Sequence, residues 1–437
     1  MKPPPFLPIL ALLLTPPLAA APPAVLAIRN ARIVPVSGAP IERGAVVVRN
    51  GLVESVGAAL NIPADAYVLD GTNLTVYPGL INGRSTWGLP ADPAPPAGAP
   101  RAPAPPPSRL PSGAPRAVGP EDRPASSAWL RAQDLLRISD PAIAQARAAG
   151  FTSAVIFPVA GILAGHGAVI NLGGETLGQM VVAPSAGLHI SFATRGFTAF
   201  PGSLMGAIAY VRQVFLDAGQ YRVAKAAYEK NARAAPRPAY DRTLEGVLGA
   251  QRLLLPANRL VEIDRMLRFA AELGVPAVLY GGQEAYRDPE KLAKAGAQLL
   301  VDLHWPERAE DADPGENESL RVLDFRRLAP STPAALAKAG IRFAFYSGEK
   351  TQDMRKAVRA AMTAGLTPEQ ALRAFTLSAA EIYNIADRLG SIEPGKIANL
   401  VVADGDLFAS ATQVKYLLID GVKHELLPEP PQKEMRP

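Results

Sequence analysis

The sequence predicts an α/β protein, a (β/α)8 TIM-type barrel carrying a small composite β-sandwich built from both ends of the chain. Three observations predict it. Short β-rich runs fill residues 25–56 and return over residues 398–426. Between these ends, apolar strand candidates alternate with helical segments, and repetition of that kind implies parallel strands joined by right-handed crossovers. Several helices also end in glycine just before the next strand (Gly150, Gly274, Gly296, Gly340), the usual cap of a helix-to-strand loop. The chain has 437 residues, 48% hydrophobic and 19% charged, which suits two or three units, or one large barrel with an accessory domain.

Residues 1–21 read as a secretory signal peptide. Lys2 supplies the positive start, residues 6–14 an apolar core, and Leu18 to Ala21 the small residues of a cleavage site. Prolines at 3, 4, 5, 8, 16 and 17 forbid the uninterrupted run of about 20 apolar residues that a transmembrane helix needs. The expected location of the mature chain is therefore extracytoplasmic, periplasmic or secreted, with no transmembrane segment. Residues 22–80 plus 392–427 are assigned to the composite β domain. Asn50-Gly51, between two apolar strands, is a two-residue hairpin signal.

Residues 81–391 are assigned to the barrel, interrupted by an insertion at 90–124. Thirteen of those 35 residues are proline, and such a segment cannot bury enough apolar surface to offset its ordering entropy. The strand candidates that follow are 151–157, 168–172, 188–192, 253–255, 275–280, 298–303 and 341–346. Helices are expected at 141–149, 203–232, 258–273, 289–295, 333–339 and 353–364. The formal charge of +5 is too small, and too evenly spread, to argue for nucleic acid. The absence of cysteine excludes disulfides, thiol nucleophiles and cysteine metal sites.

Two segments carry a family likeness: Tyr77-Pro78-Gly79-Leu80-Ile81-Asn82-Gly83-Arg84-Ser85-Thr86, and Leu389-Gly390-Ser391-Ile392-Glu393-Pro394-Gly395-Lys396-Ile397-Ala398-Asn399-Leu400-Val401-Val402, preceded by residues 374–382. Together they resemble the amidohydrolase superfamily, in particular its imidazolonepropionase-like branch. The resemblance implies hydrolysis of non-peptide carbon–nitrogen bonds by one or two metal ions at the barrel mouth. It implies ligands from a His-x-His on strand 1, often a carboxylated Lys on strand 4, His on strands 5 and 6, and an Asp on strand 8. Such a metal lowers the pKa of its bound water toward 7 and so makes a hydroxide nucleophile.

The slots are filled otherwise in this chain. Arg84 and Thr86 stand where the His-x-His belongs, and Asn82 stands for the preceding Asp. An arginine offers no lone pair to a cation. Pro256 aligns with the strand 5 histidine, glycines with strand 6, and Gly348 with the strand 8 Asp. Of the four histidines, His166 lies in a glycine-rich loop, His189 reads as a hydrogen-bonded core imidazole, and His424 belongs to the C-terminal β segment. His304 ends a strand at the mouth, and Asp302 is set on the opposite face of that strand. Glu284 and Glu349, just past strand ends, read as solvated rim charges.

These residues lead to a secreted relative in which the family metal site is lost: no metal, no cofactor, and catalytic residues unknown. The mouth is expected to be lined by Asn82, Arg84, Thr86, Asn258, Gln283, His304 and Glu349. The expected ligand of that mouth is a small anionic or amide molecule; within the protein Glu349 is the candidate partner of Arg84, with a bound anion as the alternative. Two further readings stand beside it: an active hydrolase with a rebuilt, metal-free site, and a scaffold working through the barrel mouth or the proline-rich arm.

Overall fold

Residues 23–90, 123–192, 200–308, 313, 315, 317–348 and 351–426 are described by a computed structural model. The expected signal segment, nearly all of the proline-rich stretch and Glu349 lie outside the described residues.

Five strands come first: β1 (Val25–Ile33), β2 (Ile41–Arg49), β3 (Leu52–Gly57), β4 (Tyr67–Asp70) and β5 (Thr75–Pro78). Asn50 and Gly51 both take positive φ, 50° and 81°, as a tight hairpin between β2 and β3 requires. The barrel strands follow: β6 (Leu80–Ser85), β7 (Phe151–Ile156), β8 (Leu163–Asn171), β9 (Val181–Ile190), β10 (Leu253–Ala257), β11 (Ala277–Gly281), β12 (Gln298–Asp302) and β13 (Phe343–Tyr346). The chain closes with β14 (Leu400–Ala403), β15 (Val414–Ile419) and β16 (Val422–Glu425).

Both ends of the chain meet in one hydrogen-bonded sheet, ordered β16-β15-β14-β5-β1-β2-β3, with β4 on β1. The pairing that joins them is antiparallel β14 on β5, with Leu400 opposite Pro78 and Val402 opposite Val76. Ile28, Ile33, Val46, Val76, Leu400 and Leu418 are among the residues of its core.

The second motif of the sequence ties this sheet to the barrel. Asn399 donates to Ser153 Oγ at 2.9 Å and Asn171 Oδ1 at 2.7 Å, and accepts from the Asp420 N–H at 2.8 Å. Its carbonyl accepts from the Gly79 N–H. One buried amide thus joins β7, β8, the β15–β16 turn and the entry to β6.

Barrel strands neighbour one another in chain order from β6 to β13. The run departs from the expected parallel arrangement at one strand: β8 pairs antiparallel with both β7 and β9. A parallel crossover needs a dozen or more residues. Only residues 157–162 separate β7 from β8, and residues 172–180, with one helical turn, separate β8 from β9, so a meander is the accessible topology.

No ladder joins β6 to β13; side chains and close backbone approach nearly close the barrel there. Asn82, fully buried, accepts from the Ser347 N–H at 3.1 Å and turns its Nδ2 toward Ser347 Oγ at 3.3 Å. Gly83 has no Cβ for a reason: one built there would stand 2.9 Å from the Phe345 carbonyl oxygen. Below the mouth the interior is packed solid by Ile81, Val155, Leu254, Val278, Leu300 and Ala344. Helices cover the outside, the longest being Leu204–Lys230. Among the described residues no helix is long and apolar enough to cross a membrane.

Candidate functional site

Apart from β8, the barrel strands run in one direction, so their C-terminal ends share one mouth. Arg84 lies one residue before the end of β6. Its guanidinium carbon stands 4.3 Å from the centroid of the Tyr280 ring and 5.8 Å from that of Tyr346. Tyr280 comes from β11 and Tyr346 ends β13; their rings meet edge to face at 6.4 Å. The cation therefore faces two π surfaces, which attract it electrostatically, and the Tyr280 hydroxyl oxygen also accepts a hydrogen bond from it. The Arg84 Nε is buried without a hydrogen-bond partner, and no carboxylate among the described residues pairs with the guanidinium.

His189, near the end of β9, completes this cluster. Its Nδ1 lies 2.7 Å from the Pro158 carbonyl oxygen and its Nε2 lies 3.1 Å from the Tyr280 hydroxyl. A carbonyl only accepts, so Nδ1 carries the proton; Nε2 is then the acceptor and the phenol donates to it. Burial, and next the Arg84 charge, push the His189 pKa down to about 3, so the ring is neutral. Burial raises the pKa of Tyr280 while Arg84 opposes the rise. Tyr346 is pushed well up, first by burial and then by the Asp302 carboxylate, against the pull of Arg84.

Asp302 and His304 form a second pair. His304 Nδ1 stands 2.7 Å from Asp302 Oδ1, and the same oxygen accepts the His304 N–H at 2.9 Å. This corrects the sequence reading that set them on opposite faces. Residues two apart along a strand share a face.

The remaining expected mouth residues fall into a rim lattice. Asn258 Nδ2 donates to Gln283 Oε1 at 3.3 Å, and the Gln283 N–H donates to Asn258 Oδ1 at 3.0 Å. Gln283 Nε2 donates to the His304 carbonyl at 2.6 Å. Gln283 is buried, so it stitches the ends of β10, β11 and β12 rather than presenting an open amide. Thr86, half-buried just past β6, accepts the Leu89 N–H through its carbonyl. Glu284 is also corrected: it is buried, and its Oε2 accepts the Leu260 N–H at the start of helix Leu260–Leu273. His166 sits inside β8 with Nε2 on the Gly246 carbonyl.

Sequence reasoning missed Tyr280, Tyr346 and Asp302 as mouth residues. Their signal was position, since each stands at or next to the last residue of a barrel strand. His189 was read as a core imidazole, which its two hydrogen bonds show it to be, yet it also orients the phenol beneath Arg84.

The donors among the described residues do not fit a metal cation. Among the described residues no group of three His, Asp or Glu could hold one. Both His189 nitrogens are engaged, Asn82 Oδ1 holds a backbone N–H, and Gly348, where the strand 8 Asp would stand, has no side chain. The Arg84 guanidinium, which the sequence resemblance sets at the first ligand position of strand 1, lies on the Tyr280 ring.

Comparison with known proteins accords with the geometry. The family model "Amidohydrolase family" matches residues 326–423. The crystal structure of an amidohydrolase from Thermotoga maritima is similar, with a TM-score of 0.72 and 26% identity, covering 91% of this chain and 99% of that one. A prolidase solved with N-methylphosphonate-L-proline shares the fold at a TM-score of 0.53 and 18% identity, covering 92% of this chain and 99% of that one. An adenine deaminase of Methanoculleus marisnigri is 30% identical over 143 residues, 32% of this chain and 26% of that protein. Adenine deaminase 1 of Desulfotalea psychrophila is 41% identical over 68 residues, 16% of this chain and 11% of that protein. The chain thus spans about a quarter or less of the curated relatives it matches. These likenesses support the amidohydrolase superfamily for this chain.

Proposed function

We propose that this is an extracytoplasmic member of the superfamily in which metal-dependent carbon–nitrogen hydrolysis has been given up and the barrel mouth serves to bind a ligand. The observation that carries the reading is the Arg84 guanidinium, at the first ligand position of strand 1 and seated on the Tyr280 ring. A fixed positive charge there repels a divalent ion, and the nearest imidazole has no lone pair to spare. The leader-like residues 1–21 support export. Dialysed mature protein is expected to hold well under one equivalent of zinc, iron or manganese and to release no ammonia from adenine or simple amides. Elemental analysis finding one or two tightly held metals per chain would overturn the reading.

A second reading, hydrolysis without a metal, is favoured by the Asp302–His304 pair, because a carboxylate-oriented imidazole is the usual form of a general base. A hydrolase screen on metal-stripped protein separates the two. Activity that survives chelation and falls in His304→Gln would support the second.

A further inference from the structure

We infer that the mouth binds a small monocarboxylate with an apolar body, and that Arg84 is its anchoring residue. This deepens the reading above and rests on it, because a carboxylate beside Arg84 takes the place that a metal would need. Beyond the Tyr280 hydroxyl, the guanidinium has no ion-pair partner among the described residues. Its Nε is buried and unpartnered, and the surfaces next to it are the faces of Tyr280 and Tyr346.

Among the described residues, the nearby groups that could have neutralised it are otherwise engaged. The Tyr280 hydroxyl gives its proton to His189, and that ring is held neutral, so neither carries negative charge. Asp302 Oδ1 takes the His304 ring N–H side and its backbone N–H. A partly desolvated cation with unspent donors is a costly arrangement, which a ligand supplying two coplanar oxygens relieves.

Charge and shape narrow the ligand. One guanidinium balances one negative charge. The Asp302 carboxylate, a hydrogen-bond partner of the Tyr346 hydroxyl, disfavours a second. A planar monoanion therefore fits better than phosphate, and the carboxylate plane matches the arginine fork. The rings of Tyr280 and Tyr346 bracket the cation, so the remainder of the ligand meets aromatic surface, which suits propionate or benzoate better than a polyhydroxylated acid.

The test is a titration of the mature protein with acetate, propionate, benzoate and inorganic phosphate, read by calorimetry and by thermal shift. The parent is expected to respond saturably to propionate and benzoate, more weakly to acetate, and not to phosphate. Arg84→Met should lose the response, and Arg84→Lys, which keeps the charge without the fork, should weaken it at least about tenfold. If Arg84→Met does not fold, the Arg84→Lys comparison decides. No saturable response in the parent, or equal responses in parent and Arg84→Lys, overturns the inference. Metal content is measured on the same preparation. Bound metal would sink the functional reading, whereas metal-free protein that ignores carboxylates sinks the inference alone.

Discussion

The His189 imidazole should give the stability of this fold a pH dependence of known sign. Its ordinary pKa is 6.5, and in the folded chain it is lowered to about 3 by burial and by the Arg84 charge. Above pH 6.5 the ring is neutral in both states and has no effect. As the pH falls below 6.5 the unfolded chain takes up a proton that the folded chain refuses, so stability is lost as acid is added. At about 1.36 kcal/mol per pH unit, the loss at pH 5 is roughly 2 kcal/mol. His166 and His424 are also lowered by burial, so the parent curve alone does not isolate His189. The measurement is urea unfolding from pH 7.5 to 5 for the parent and for His189→Asn, which keeps an N–H for the Pro158 carbonyl. The variant should be less stable at pH 7.5, because the Tyr280 hydroxyl loses its acceptor, but its curve should be flatter by about 2 kcal/mol. Parallel curves would show that His189 is not the group excluded from protonation.

Two further outcomes follow from the packing. Asn82→Ala leaves the buried Ser347 N–H without its acceptor at the seam, and should cost about 1–3 kcal/mol in denaturant unfolding and speed exchange of the Ser347 amide. Asp241, buried, accepts from Arg123 Nε at 2.8 Å and from the Thr243 and Leu244 N–H groups at 2.9 and 3.1 Å. Asp241→Ala should therefore cost about 2–4 kcal/mol, and Asp241→Asn less, because the helix cap survives while the ion pair does not.

The elements that sequence made legible are those with strong local or motif chemistry. Asn50-Gly51 fixed a hairpin because both positions need positive φ, and strand–helix alternation announced the barrel. The long C-terminal motif revealed the superfamily because its residues are structural. Asn399 bridges sheet and barrel, and buried Lys396 pairs with Glu393 at 2.9 Å. Those constraints persist whatever the mouth does, which is why kinship could be read while chemistry could not. The reversed strand β8 was hidden because its apolar run looks the same in either direction; only the short connections on each side spoke against a crossover. Asp302 was misplaced by a face error, and the tyrosines around Arg84 were overlooked because aromatic residues at strand ends resemble ordinary core until a cation is seen lying on them.

The reversed strand also bears on the order in which the molecule assembles. β7, β8 and β9 form a meander of short connections, and contacts between near neighbours in sequence form before distant ones. The seam is the opposite case, since Asn82 and Ser347 are 265 positions apart. During synthesis the meander can collapse as soon as residue 190 has emerged, whereas the seam must wait for β13. Until then Tyr346 is not in place beside Arg84, which has only the Tyr280 ring of β11 to lie against. The burial of that cation is thereby completed only when β13 docks, so a carboxylate bound beside it would act after the meander has formed rather than on it.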